Sequence, residues 1–115
     1  MTVEDVMNER EALCPRFEAA MKILGKRWTG LVIRVLLDGP ARFSEMAARI
    51  PEMSDRMLAE RLRELEVEGI VRRDVFPETP VRIEYRLTEK GRALAPVMDQ
   101  VHAWADQWLL VPSGK

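Results

Sequence analysis

The apolar residues of this chain change their period along its length, and that change limits the fold more than any other feature. From Phe17 to Leu65 they recur mostly at three- and four-residue intervals, as helices require. After Gly69 the pattern is that of strands. Ile70, Val71, Val75 and Phe76 lie in a β-favouring run, and Val81-Arg82-Ile83-Glu84-Tyr85-Arg86-Leu87 alternates with period 2. Pro77-Glu78-Thr79-Pro80 between them is a rigid turn, so this stretch is predicted to be a β-hairpin with a proline-bearing tip. The helical period returns at Thr88 and runs to about Leu110.

Four helices are predicted ahead of the hairpin. Cys14-Pro15 starts the first, with Phe17, Ala20, Met21 and Leu24 on one face and Gly25 at its end. Thr29 to Leu37 is the second, with Leu31, Val32, Val35 and Leu36 inward, and Asp38-Gly39-Pro40 stops it. Phe43 to Ile50 is a short third helix whose stripe is Phe43, Met46, Ala47 and Ile50. Ser54 is a suitable N-cap for the fourth, which carries Leu58, Leu62 and Leu65 inward and ends near Gly69. Thr88 caps the last helix, whose apolar face holds Leu94, Val97, Met98, Val101, Trp104, Ala105 and Trp108. Pro96 predicts a kink or a local break within it. The chain is therefore mainly α with a small β-hairpin. Two helices across a tight turn, followed directly by a hairpin, form a winged helix-turn-helix. Residues 1–13 are a short acidic arm, residues 14–92 the winged domain, and residues 93–115 the rest of the last helix and a tail.

The chain has 115 residues, enough for one domain with a core of its own. Its single cysteine excludes an intramolecular disulfide framework. The longest apolar stretch, Leu31 to Leu37, is broken by Arg34 and is far below the ~20 residues of a membrane span. Glu4, Asp5, Glu9 and Glu11 stand where a signal peptide would be basic. A cytoplasmic protein with no membrane partner is the expectation. His102 is the sole histidine, and no catalytic set, metal cluster or phosphate loop can be assembled around it. An enzyme, a metal site and a cofactor are not expected. The net charge of −1 argues against nucleic acid only until it is divided. Residues 1–13 hold one base and four acids, residues 14–92 sixteen bases and thirteen acids, and residues 93–115 one base and two acids. The winged region is the basic part.

The ordered motifs of residues 14–108 resemble those of the HxlR-type winged-helix transcription regulators, relatives of the MarR-like repressors. Cys14-Pro15, Gly25-Lys26-Arg27-Trp28, Leu36-Leu37-Asp38-Gly39-Pro40 and Arg42-Phe43-Ser44-Glu45 come first. Ser54-x-x-Met57-Leu58, Arg61-Leu62-Arg63-Glu64-Leu65 and Glu68-Gly69-Ile70-Val71-x-Arg73 follow. Pro77-x-x-Pro80-x-Arg82-x-Glu84-Tyr85-x-Leu87-Thr88-x-x-Gly91 completes the set. The resemblance implies a homodimeric DNA-binding regulator whose first and last helices build the dimer. It also implies that an N-terminal cysteine can sense oxidants or electrophiles, as in some members of the family.

Read from the residues themselves, the outer side of the fourth helix carries Ser54, Asp55, Arg56, Ala59, Glu60 and Arg63. Arg56 and Arg63 suit guanine edges or phosphates, Ser54 a phosphate, and Ala59 a thymine methyl. Glu60 suits cytosine N4, or else it pairs with Arg56 and Arg63 on an ordinary solvated face. Arg42 and Ser44, at the start of the third helix, fit phosphate contacts. So does Arg82 beyond the hairpin tip, in a minor groove or on the backbone. Arg73 and Arg86 are expected to pair with Asp74 and Glu84 instead. Lys26 and Arg27 are either backbone contacts or solvated, beside a core Trp28.

A thiol at a helix start has its thiolate favoured by the dipole, so Cys14 is a candidate sensor; the alternative is a buried small hydrophobe. Phe17, Val97, Val101, Trp104 and Trp108 are the candidate dimer contacts. Two reading heads related by a two-fold axis require a pseudo-palindromic double-stranded operator. Two other readings of the scaffold stay open. One is a winged-helix protein-interaction module. The other is a regulator that takes a small-molecule signal in a pocket near the dimer interface.

Overall fold

A computed structural model describes residues 14–111 of the chain. The acidic arm, residues 1–13, and the end of the tail lie outside the described residues. Six helices and one hairpin follow in order: α1 Pro15–Leu24, α2 Thr29–Leu37, α3 Phe43–Arg49, α4 Asp55–Val67, β1 Val71–Phe76, β2 Arg82–Leu87, α5 Glu89–Arg92 and α6 Ala95–Trp108.

Helix α2 is the centre of the molecule. It touches α1, α3, α4, α6 and β2, and it buries Thr29, Val32, Ile33, Val35 and Leu36. Being packed from several sides widens its apolar stripe. Ile33 is fully enclosed as a result, and Leu31, expected inward, is 50% exposed on the far side. Met46 of α3 and Leu58, Leu62 and Leu65 of α4 complete the interior with Ile70, Val71 and Leu87 from the hairpin region. The residue ahead of α2 takes an unusual conformation: Trp28 has φ +78°, in the left-handed region. A bulky side chain there costs about 1–2 kcal/mol. The packing of Trp28 against the core and of the Arg27 guanidinium over its ring, 4.6 Å from the centroid, offsets this cost.

β1 and β2 pair antiparallel from Val71↔Leu87 to Phe76↔Arg82. The hairpin is tied to α3 by a short bridge that nothing local in the sequence announces. Ala41 N donates to Tyr85 O at 2.9 Å, and Tyr85 N donates to Ala41 O at 2.8 Å. The wing therefore moves with the start of α3.

The last helix is broken, as Pro96 predicts, but more completely than a kink. α5 is a four-residue turn and α6 is a separate helix of 14 residues, about 21 Å long instead of the ~33 Å of one uninterrupted helix. Pro96 falls in the first turn of α6, where its missing N–H breaks no hydrogen bond. Thr88 Oγ1 accepts from Gly91 N at 3.1 Å and donates to Gly69 O at 2.5 Å, which locks α5 to the chain leaving α4. Gly91 is buried there, and the position requires glycine because a Cβ would run into the Ile70 carbonyl oxygen. Gly69, with φ +74°, ends α4 in the left-handed conformation that favours glycine.

Candidate nucleic-acid interface

α3, the turn at residues 50–54 and α4 form the helix-turn-helix. Ser54 caps α4, its Oγ accepting from Met57 N at 3.1 Å, so the hydroxyl hydrogen is left to donate outward. With Leu58, Leu62 and Leu65 facing the core, the 100° step per residue puts Arg56, Ala59, Glu60 and Arg63 on the opposite side, within an arc of roughly 100°. Arg56 has a side chain 91% exposed and lies 3.7 Å from Glu60, a loose i,i+4 pair worth about 0.3–0.5 kcal/mol. Arg63 is exposed and forms no ion pair among the described residues. The face thus offers two guanidiniums at little cost of release.

Arg42 and Ser44 are exposed at the start of α3. The Arg42 backbone N–H donates to Glu45 Oε1 at 2.7 Å, which closes the first turn of α3. The Ala41–Tyr85 bridge places these residues beside the wing.

Arg82 is more committed than the sequence suggests. Its Nε and Nη2 donate to Glu78 Oε2 at 3.0 and 2.8 Å, and its Nη1 donates to Glu84 Oε2 at 2.5 Å. Its guanidinium also lies over the Phe76 ring, 3.9 Å from the centroid. Its side chain is only 27% exposed. The hydrogen bonds to Glu78 and Glu84 push the Arg82 guanidinium above its ordinary value. The same bond from Arg82 holds the Glu78 carboxyl below the usual carboxylate range, with weaker attraction from Arg42. On the same side of the hairpin Asp74 pairs with both Arg72 and Arg86 at 2.9 Å. The pairing expected of Arg86 with an acid is present; Arg73 makes no such pair among the described residues.

Sequence reasoning missed the clasp that holds the back of α4. Arg61 Nε donates to Arg27 O at 3.0 Å, its Nη1 donates to Glu64 at 3.0 Å, and Lys26 Nζ donates to the same carboxylate at 3.0 Å. Lys26 is thereby drawn to α4. The contact spans 38 residues, so no local pattern reveals it.

Cys14 is exposed and stands at the N-cap position of α1, its carbonyl accepting from Glu18 N at 3.0 Å. Within the protomer Cys14 is exposed rather than a buried hydrophobe. Phe17, Val97, Val101, Trp104 and Trp108 are all exposed. Val97, Val101 and Trp104 line a shallow apolar groove with Pro96 and Gln100, on a helix that buries none of its residues.

The HxlR-like helix-turn-helix family matches residues 23–112. The chain belongs to that family. It is 57% identical over 103 residues to the HTH-type transcriptional regulator YvaP of Bacillus subtilis, covering 90% of this chain and 94% of that one. It is also 57% identical to the HTH-type transcriptional regulator YodB of the same organism, over 84% of this chain and 86% of YodB. The reduced form of YodB superposes with a TM-score of 0.77, over 84% of this chain and 95% of the other. The redox regulator HypR in its oxidized form gives a TM-score of 0.79 at 39% identity, over 85% of this chain and all of that one. The fold is a winged helix-turn-helix. The relatives are transcriptional regulators rather than enzymes. No helix among the described residues is long and apolar enough to cross a membrane.

Proposed function

We infer that the protein is a cytoplasmic transcriptional regulator that binds a pseudo-palindromic operator as a homodimer. The carrying observation is α4, whose solvent side bears Arg56 and Arg63 with no firm internal partner while its other side is sealed into the core. Ser54, Ala59 and Glu60 lie beside these arginines as the remaining base and phosphate contacts. Arg42 and Ser44 hold the flanking phosphates. Arg82 shapes the wing tip through Glu78 and Glu84, and reaches DNA by exchanging Glu78 for a phosphate. The dimer is formed through Phe17 of α1 and Val97, Val101, Trp104 and Trp108 of α6, which are among the large apolar side chains the protomer leaves uncovered.

The signal is oxidative or electrophilic and acts at Cys14. Support comes from the exposure of the thiol at a helix start and from YodB, solved in reduced, diamide-treated and quinone-bound forms. With one cysteine per chain, diamide oxidises two thiols, either Cys14 of both protomers or Cys14 and a small thiol, to one disulfide and is itself reduced to the hydrazine. A quinone instead adds the Cys14 thiolate to its ring, forming a thioether and a hydroquinone.

Selection from genomic DNA followed by gel shift tests the first part. Saturable binding that survives competitor DNA is expected, and its absence overturns the reading. In the second part operator affinity changes on treatment with diamide or quinone, and Cys14→Ser abolishes the change. An unaltered response in that variant removes Cys14 as the sensor.

A further inference from the structure

The tip of the wing is an acidic spot on a basic domain. Phe76 to Glu84 holds one base, Arg82, and two acids, Glu78 and Glu84, whereas residues 14–92 hold sixteen bases and thirteen acids. Such a tip is repelled by phosphates, and most of all by a narrow A·T minor groove, where the negative potential is enhanced. A wing that enters DNA this way needs a donor for its carboxylates.

The two acids are placed differently. Glu84 lies within β2, has a side chain only 26% exposed and accepts from Arg82 Nη1. Glu78 stands at the turn, half exposed, with its backbone N–H fixed on Phe76 O at 2.8 Å. Arg82 Nε and Nη2 both donate to Glu78 Oε2, and Oε1 accepts no hydrogen bond among the described residues. Arg42 attracts Glu78 from the start of α3 but makes no ion pair with it among the described residues. The tip therefore lies near the residue that holds a flanking phosphate in the reading above.

Each wing strand has six residues and is about 20 Å long at 3.3 Å per residue. Half a turn of B-DNA is roughly 17 Å. With α4 in the major groove and the wing tied beside α3 by the Ala41–Tyr85 bridge, the tip reaches the neighbouring minor groove. An A·T pair presents only acceptors there, adenine N3 and thymine O2. The N2 amine of guanine is the one base donor in that groove. Once Arg82 exchanges Glu78 for a phosphate, a guanine is the base that can satisfy the released carboxylate.

We propose that Glu78 is a specificity-determining residue: its carboxylate accepts from the N2 amine of a guanine in the minor groove under the wing, and so selects a G·C pair there. Glu84 stays on Arg82 and takes no part in the selection. The inference rests on the DNA-reading role proposed above and adds to it a base preference outside the reach of α4.

The test uses gel shifts on an operator selected from genomic DNA, with guanines of the wing-flanked minor groove replaced by inosine in both half-sites. Inosine lacks the N2 amine and keeps N7 and O6, so major-groove contacts of α4 are unaltered. Binding by the wild type should weaken at least about tenfold, the loss of a charge-assisted hydrogen bond. An A·T pair at the same step should be as poor as inosine, and 2,6-diaminopurine paired with thymine, which restores the amine, should recover binding. Glu78→Ala should bind the guanine and inosine operators equally. Glu84→Gln should keep the preference, which separates Glu78 from the general charge of the tip.

Equal binding of guanine and inosine operators by the wild type overturns the proposal, as does selection of A·T pairs throughout the wing-flanked groove. A guanine preference that persists in Glu78→Ala overturns it as well. Tighter binding of Glu78→Ala to every operator, with no amine dependence in the wild type, would reduce Glu78 to simple repulsion of phosphate. All of these outcomes leave the DNA-binding function standing. Failure of the wild type to bind any operator overturns that function itself, and the proposal with it.

Discussion

Leu62 and Trp104 sit on helices of nearly equal length, 13 residues in α4 and 14 in α6, yet Leu62 is sealed in the interior and Trp104 is 58% exposed. The two helices carry comparable apolar stripes. In α4 the stripe meets α2 and β1, and three leucines vanish from solvent. In α6 only Leu94, just before its first turn, and Met98 reach the core. Val97, Val101, Trp104 and Trp108 then run on past the edge of the body. α1 repeats the theme, with Ile23 and Leu24 packed and Phe17 and Met21 left out. An apolar stripe is thus a statement about burial but not about which chain supplies the partner. Contiguous exposure on this scale marks an interaction surface.

The sharpest test of this contrast is a pair of truncations. Leu62→Ala should cost about 2–5 kcal/mol in urea unfolding, since it leaves a cavity in a packed interior. Trp104→Ala should leave the intrinsic stability of the protomer within about 1 kcal/mol. What it should remove is the dependence of Tm on protein concentration, the mark of stability shared with a partner. Equal losses from the two truncations at high dilution would place α6 inside the protomer core and dissolve the distinction.

Next in size is the association itself. Val101→Asp puts a carboxylate in the middle of the α6 face, and a two-fold interface brings it near its own copy. Sedimentation should show dimer dissociation strengthened at least about tenfold, with the far-UV spectrum unchanged. An unaltered dimer would move the interface off α6.

The contrast also accounts for what the sequence reveals and what it conceals. The first four helices and the hairpin are legible within a residue or two, because caps such as Ser54, stops such as Gly39-Pro40 and Gly69, and the change of period are local signals. The side on which a helix is buried is less legible when several neighbours surround it, as Leu31 and Ile33 on α2 illustrate. Contacts between distant segments leave no periodic trace. The Ala41–Tyr85 bridge, the Lys26–Glu64–Arg61 clasp and the left-handed Trp28 belong to that class. For the candidate site, the exposure of Arg56 and Arg63 follows from the leucine stripe alone. The capture of Arg82 by Glu78 and Glu84 depends on wing register and stacking on Phe76, which a linear reading does not weigh.

Within the body, the arginines separate reading from folding. Arg56→Ala and Arg63→Ala should each cost about 1–3 kcal/mol in operator binding while moving stability by no more than about 0.5 kcal/mol. Arg82→Ala should act differently. By freeing Glu78 and Glu84 at the wing tip it should lower stability as well as affinity, and the loss of its phosphate contact should reduce the salt slope for DNA by about one unit. An unchanged salt slope would make Arg82 a residue that shapes the wing without touching phosphate.

The smallest expected effect lies where the two regions join. Glu64 links α4 to the turn that follows α1, through Lys26 and through Arg61, which also holds Arg27 O. Partial burial works to raise the Glu64 carboxyl, but the hydrogen bond from Lys26 and the charges of Arg61 and Lys26 outweigh it, and the group lies below its ordinary value near 4.5. A carboxyl lowered by folding adds stability above its unfolded value, and that contribution fades as pH falls through the folded value. Glu64→Gln should therefore be less stable than the wild type at neutral pH by about 0.2–1 kcal/mol, the range of exposed pairs. The two proteins should converge once the solution is more acid than the folded value. High salt should shrink the neutral-pH difference, since Lys26 and Glu64 are both partly in solvent. If the difference persists unchanged in acid, the contribution of Glu64 is packing rather than charge. The turn after α1 would then be held to α4 by Arg61 on the Arg27 carbonyl alone.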